Sequence, residues 1–244
     1  MILIILLYIL ILMQIVIGAV LFNSAHQNRQ PNLYWLSLVF FFASVTAIFI
    51  PLGGSPPGET SASLWLNQAL SVLGKIWVIL FIHTTFYTNK ASPTGWVLAA
   101  MVPLIAMTLY GVAVTRDIFN QSPWITANNV STVLIWAWHS WVAYQGWHSV
   151  ANEAGVADWV KSRYLMMVTY SLLVAVGGVA SVIRVAFGGG AGTTAIGILL
   201  GALALLCQIG SVTLQFLTWV MPEGFRRWLN RNYHEEPEEA IMLE

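Results

Sequence analysis

Charge is what this sequence has least of. Ten basic and ten acidic residues make up 8% of 244 positions and cancel to zero net charge. A soluble domain covers its surface with about three times that share of charge, and a nucleic-acid-binding face needs a basic excess. Both classes are excluded. Cysteine is almost absent: Cys207 stands alone, so neither an internal disulfide nor a thiolate cluster can form, and a small buried hydrophobe is the expected role. No aspartate or glutamate falls within the apolar stretches, which removes the paired membrane carboxylates of a proton pump. P-loops and Ser/His/Asp arrangements are missing too, leaving no motif for NTPase or hydrolase chemistry. The expectation is a protein that is not an enzyme.

What the chain has is apolar residues, 58% of the total. They gather into seven stretches, 1–23, 34–52, 64–88, 95–115, 126–149, 164–187 and 194–221. Each has about 20 residues, enough to cross a ~30 Å hydrocarbon core as a helix. Met1 is followed directly by apolar residues without a basic lead, so the first stretch reads as a retained helix rather than a signal peptide. The expected architecture is all-α: a seven-helix, multi-pass bundle in the cell membrane over 1–221, followed by an interfacial and acidic tail over 222–244. Breaker residues separate the spans, as at Gly53-Gly54-Ser55-Pro56-Pro57-Gly58, Ser92-Pro93 and Gly188-Gly189-Gly190. Pro103 lies within span 4, where a kink is expected.

Basic residues give the orientation. With the N-terminus outside, the inner segments hold Arg29, Lys90, Lys161, Arg163, Arg226, Arg227 and Arg231, against Arg116 and Arg184 outside. The positive-inside rule therefore predicts N-out and a cytoplasmic C-terminus. Trp35, Trp96, Trp147, Trp159, Trp219 and Trp228 fall near the inner interface, with Trp65 and Trp124 near the outer one, as amphipathic indoles do. Arg184 is expected to snorkel outward. Gly197 and Gly201 form a G-x-x-x-G step suited to close helix contact or to a homodimer.

Lys75 is the most unusual residue, because a lysine near the middle of span 3 is costly and no membrane acid is there to pair with it. A retinal Schiff base does not fit: span 7 has no lysine, and a counter-ion is lacking. Asn128, Thr132, Trp136 and His139 recur at helical spacing on span 5. Counted from the outer ends, Lys75 and His139 fall at similar depth. The expectation is a polar cavity between spans 3 and 5, with Lys75, His139, Asn128 and Thr132 facing a small ligand and Trp77, Trp136 and Trp141 as walls. His83 and His148, on two helices nearer the inner side, are a conceivable haem clamp. Metal-ligand spacing is otherwise missing, and no resident metal or cofactor is expected.

The tail reads Pro222, Glu223, Gly224, Phe225, Arg226, Arg227, Trp228, Leu229, Asn230, Arg231, then Glu235, Glu236, Glu238 and Glu239. Its basic and aromatic part should lie along anionic headgroups and serve as a docking surface, with Arg226, Arg227, Trp228 and Arg231 in contact. With Lys161-Ser162-Arg163-Tyr164-Leu165 leading into span 6, the chain resembles the membrane input region of bacterial seven-helix sensor proteins, of the sensor histidine kinase type. The resemblance implies signalling through the last helix. No kinase-like output domain follows within these residues, so a membrane or cytoplasmic partner is expected to complete the task. The leading expectation is a sensory or regulatory protein that binds a small apolar or amphipathic ligand. The alternatives are an accessory subunit of an electron-transfer or photosynthetic membrane complex, packed against partner helices, pigments or quinone, and a small transporter or channel. The absence of paired interrupted helices weighs against the transporter.

Overall fold

The computed structural model describes residues 2–52, 62–87, 91–114, 122–153, 155–188 and 195–231. Lys90, Arg116, the breaker loops at 53–58 and 189–190, the acidic tail from Glu235, and the side chains of Trp65 and Trp124 lie outside the described residues. Within them the chain is all-helical and has no strand. Seven long helices are α1 (Ile2–Asn28), α2 (Pro31–Leu52), α3 (Ala62–Phe86), α4 (Thr94–Val114), α5 (Ser122–Val150), α6 (Asp158–Gly188) and α7 (Ala195–Trp219). A short α8 (Glu223–Leu229) follows. Four of them are long and apolar enough to cross a membrane: α1, α3, α6 and α7, over Leu7–Asn28, Ala69–Phe86, Asp158–Arg184 and Ala195–Trp219. Shorter apolar stretches run over Pro31–Thr46 and Thr94–Pro103. This is the composition of a multi-pass membrane protein.

Where polar and apolar residues sit supports the same class. Ile5, Tyr8, Leu12 and Val16 on α1, Leu172, Val176, Val179 and Ile183 on α6, and Ile196, Leu199, Leu203 and Leu206 on α7 are exposed. Gln14, Ser37, Ser44, Lys75, Ser131, His139, Ser171, Ser211, Gln215 and Thr218 are buried. In water that arrangement would leave large apolar faces uncovered. In lipid it is favourable, because hydrocarbon is as good a neighbour for leucine as another helix is. Many of the buried hydroxyls bond back to their own helix, such as Ser37 to the Tyr34 carbonyl at 2.9 Å and Thr218 to the Leu214 carbonyl at 2.6 Å, so they need no partner elsewhere.

The helices pack in chain order, α1 on α2, α2 on α3, α3 on α4, α4 on α5, α5 on α6 and α6 on α7, and α7 closes against α1. α4, which contains Pro103, stands to the outside of the ring, since α3 also touches α5 directly. Small residues set the closest approach. A Cβ on Gly177 would lie 3.4 Å from Cys207 Cβ and 3.5 Å from the Ala204 carbonyl oxygen, so α6 and α7 meet nearly backbone to backbone. Cys207 is buried there, as expected of a small hydrophobe.

Helix ends differ from the apolar stretches by several residues. α6 begins at Asp158, six residues before span 6, and takes Lys161 and Arg163 into its first turns. The C-terminus of α7 is closed by Met221 at φ 41°, a left-handed turn, and by Pro222, which cannot continue the helix. Arg29, at φ 52°, makes the same kind of turn between α1 and α2, with the Gln30 N–H bonded back to the Ala25 carbonyl at 3.1 Å.

Candidate functional site

Two adjoining cavities occupy the bundle. The inner one, of about 230 Å³, is lined by Lys75, Ser71 and Gly74 of α3, Thr132 and Trp136 of α5, Gln14 of α1, and Gln208 and Gln215 of α7, among apolar neighbours. The larger one, of about 490 Å³, runs along α6 and α7 past Gly177, Gly178, Gly197 and Gly201 to Arg184. Thr132, Val174 and Gln208 line both, so the two adjoin across a shared wall. Glycine creates part of the room: a Cβ on Gly201 would come within 3.3 Å of Arg184 Nη1. Gly197 and Gly201, the expected homodimer step, thus line this groove within a single chain.

Lys75 is only 7% exposed. Its Nζ donates to the Asn128 carbonyl at 2.9 Å and to Asn128 Oδ1, and Ser71 bonds the same amide. The Asn128 carbonyl also accepts from Ser131 at 2.7 Å and from Thr132 at 3.1 Å. Three donors on one carbonyl leave each with a share of it, and an ammonium has three protons to place. In the same lining the Oε1 atoms of Gln14 and Gln215 are buried and have no hydrogen-bond donor. Gln215 spends its amide on Ser211 Oγ at 2.9 Å. A buried acceptor without a donor costs about 1–3 kcal/mol. The cavity therefore offers a donor and two open acceptors.

Of the expected site residues, Lys75, Asn128, Thr132 and Trp136 come together. The other three do not, and each is a correction. His139 is fully buried in a separate aromatic cluster, with Phe81, Phe86, Trp136 and Tyr170 at ring-centroid distances of 5.4 to 5.6 Å for the first two and Tyr170. Trp136 packs on it edge-on. The reason is register. Lys75 pairs with Asn128, eleven residues before His139 on α5, which is about 16 Å along a helix axis. Equal counting from the apolar ends puts Lys75 opposite His139, but His139 lies beside Phe81 and Phe86, farther along α3 than Lys75. Trp77 turns to α2 instead of α5, stacked on Trp35 at 5.4 Å and leaning on Phe42 at 6.1 Å. Trp141 is 59% exposed on the outer face of α5, beside Tyr144, and walls nothing. The cavity itself lies among α1, α2, α3, α5, α6 and α7, not between α3 and α5 alone.

The His139 cluster has a definite hydrogen-bond direction. Ser171 donates to the Met167 carbonyl at 2.6 Å, because a carbonyl can only accept. Ser171 Oγ must then accept from His139 Nδ1–H at 2.5 Å. That leaves Nε2 as an acceptor for the Tyr170 hydroxyl at 3.5 Å, and Tyr170 in turn accepts from Trp219 Nε1 at 3.4 Å. The imidazole is the neutral Nδ1–H tautomer, a packed and bonded core group.

The two histidines of the conceivable haem clamp lie apart. His83 Nδ1 meets the Ser92 and Thr94 hydroxyls at 3.0 and 3.1 Å where α3 leads into α4. His148 is exposed near the end of α5, against Tyr144. On α8, Arg227 pairs with Glu223 at 2.5 Å, and Arg231 lies over the Trp228 ring at 5.2 Å, with Trp228 itself exposed. Among the described residues no group of three or more His, Cys, Asp or Glu gathers as a metal site. Gln14, Gln208 and Gln215 were the polar members missed in reading the sequence. The available signal was three amides inside otherwise apolar stretches, which is the same argument that singled out Lys75.

Comparison with protein-family models, with curated proteins and with solved structures finds no match to this chain.

Proposed function

We propose that this chain is a seven-helix protein of the cell membrane, N-terminus outside and C-terminus cytoplasmic. In this reading it is a non-enzymatic sensory or regulatory protein of the kind its tail resembles. It binds a small amphiphile in the adjoining cavities and passes a helix movement through α7 to α8 and a partner. The observation that carries this reading is the cavity, with Lys75 donating and the Gln14 and Gln215 oxygens open. The ligand's head both donates and accepts hydrogen bonds, as a hydroxyl does, and its apolar body fills the groove along α6 and α7. The larger cavity is of the size that holds a small molecule, about 300–1,000 Å³. The orientation is supported by where basic residues gather: Arg29, Lys161, Arg163, Arg226 and Arg227 belong to the turns and helices at the α8 end, the side that the positive-inside rule assigns to the cytoplasm.

The test is native mass spectrometry of protein extracted in mild detergent, with identification of small molecules released on unfolding. The wild type should carry one hydroxyl-bearing amphiphile per chain. Thr132→Leu, which fills the junction of the two cavities, should lose it, and Lys75→Met should weaken its retention. Equal retention in all three proteins would refute the reading.

A second reading has one observation of its own. Trp141, Tyr144, Trp147 and His148 form a run of neighbouring rings along α5, at centroid distances of 6.2, 5.8 and 6.3 Å, with Trp141, Tyr144 and His148 exposed. Such a face suits packing against a partner helix, pigment or quinone in a membrane complex. A visible absorption band, or subunits that co-purify in stoichiometric amount, would favour it over the sensory reading.

A further inference from the structure

The α8 end of the bundle holds a second kind of cavity, of about 480 Å³, apart from the one described above. The turn between α1 and α2 brings Arg29 and Asn32 to it, the end of α3 brings Thr84 and Thr85, and the start of α6 brings Arg163, with Trp219 beneath. Arg163 lies flat over the Trp219 ring at 4.5 Å, and its Nε is buried without an acceptor. The ion pair found among the described residues joins Arg227 to Glu223, away from this lining. The walls, which also include Gln30 and Tyr164, thus present two guanidinium groups, two amides and three hydroxyls, with no carboxylate among the lining residues. Arg29 reaches the cavity from a left-handed turn that a glycine would adopt more readily. Strained backbone of this kind tends to persist where a site is built.

We propose that this cavity is an oxyanion site, in which the forked guanidinium of Arg163, backed by Trp219, and that of Arg29 hold a phosphate group. Guanidinium forks match phosphate oxygens two at a time, and Arg163 is already desolvated on its aromatic side. The chemistry serves an anionic lipid headgroup and a free phosphate compound alike. The site abuts the tail: the Trp159 N–H at the start of α6 donates to Asn230 Oδ1 at the end of α8, 3.1 Å away. The proposal stands independently of the ligand cavity, which shares none of these residues.

The experiment uses the full chain in nanodiscs of phosphatidylcholine, with or without phosphatidylglycerol, followed by native mass spectrometry of retained lipid. A parallel arm measures the thermal shift given by inorganic phosphate in a neutral detergent. A headgroup site predicts one phosphatidylglycerol per chain, retained about tenfold better than phosphatidylcholine (a tenfold preference is 1.4 kcal/mol), with no effect of phosphate. A site for a soluble compound predicts stabilisation by phosphate and no lipid preference. Either result supports an oxyanion site if Arg163→Gln and Arg29→Gln reduce it while Arg184→Gln, at the other end of α6, does not. Arg29 is exposed on a turn, so its variant tests the site even if Arg163→Gln folds poorly. Absence of both effects in the wild type, no change in the Arg29 variant, or equal loss in the Arg184 variant would each overturn the proposal.

Discussion

Removing Ser171 should cost this protein more than its size suggests, because Ser171 is the acceptor for a fully buried imidazole N–H. In Ser171→Ala the His139 Nδ1–H loses its only partner, at a site with no exposure. An unsatisfied buried donor costs about 1–3 kcal/mol, whereas a hydrogen bond removed from both sides at once costs about 0.5–1.5 kcal/mol. His139→Phe keeps the ring contacts with Phe81, Phe86, Trp136 and Tyr170. It leaves Ser171 still bonded to the Met167 carbonyl and releases only the long, weak contact of the Tyr170 hydroxyl. The expected order is therefore Ser171→Ala at about 2–3 kcal/mol and His139→Phe at about 1–2 kcal/mol. The double variant should fall near His139→Phe alone, since the alanine strands nothing once the imidazole is gone. The coupling then equals the Ser171→Ala loss itself, about 2–3 kcal/mol. Reversible unfolding of the four proteins in the same detergent, followed by near-UV circular dichroism, measures the cycle. Additive losses, or a Ser171→Ala change within about 0.5 kcal/mol of zero, would refute the assigned tautomer and the directed chain built on it. The same His139→Phe protein should keep its bound amphiphile, because His139 lies outside the cavity.

Two further outcomes bear on packing. Gly146→Ala should destabilise by about 1–3 kcal/mol, because its Cβ would lie 2.5 Å from Tyr164 Cε1; adding Tyr164→Leu should recover much of the loss in the same unfolding measurement, and a harmless Gly146→Ala would contradict the α5–α6 contact. Trp141→Leu, on an exposed position of α5, should change stability by less than about 0.5 kcal/mol, and a large loss in the purified monomer would place Trp141 in a contact that the fold does not contain.

Element existence was legible in the sequence, because a run of about 20 apolar residues has few alternatives to a spanning helix. The cavity was half legible. Lys75, Asn128, Thr132 and Trp136 could be grouped by composition and by helical spacing, and they do meet. Depth was not legible. Hydropathy fixes helix ends only to several residues, and α6 shows why: its first two turns carry Asp158, Lys161 and Arg163 outside any apolar stretch yet continue the same helix. An error of that size in α3 and another in α5 is enough to place His139 beside Lys75 on paper, whereas in fact it packs on Phe81 and Phe86, farther along α3. Facing was lost for a related reason. Trp77 and Trp141 are wide rings that suit a cavity wall, a helix contact or a lipid surface equally well by type. Only the neighbours, Trp35 for one and lipid-side exposure for the other, decide between these.

The two polar centres are not isolated from one another, and Trp136 is the reason. It lines the inner cavity with one side and meets the His139 ring edge-on with another, at 5.6 Å. From His139 the contacts run through Tyr170 and Trp219 to Arg163, at the α8 end. Contiguity alone does not transmit anything; an element with two arrangements must lie along it. The bond lengths single out where such an element would be. The Ser171 half of the chain is held by the 2.5 Å bond with His139, which ties α5 to α6, and by the 2.6 Å bond to Met167 within α6. The Tyr170 half is held at 3.5 and 3.4 Å, near the limit of hydrogen bonding. Of these two long bonds only the one from Trp219 to Tyr170 holds α7, which is otherwise fixed at this level by the contacts of Trp219 with Phe81 and Arg163. Like α5 and α6 it lines both cavities, through Gln208, and it alone of the three leads into α8. A ligand that displaces α7 would strain the long Trp219–Tyr170 bond and leave the short His139–Ser171 bond unloaded, and the displacement would reach α8 through the turn at Met221 rather than through the α5–α6 pair.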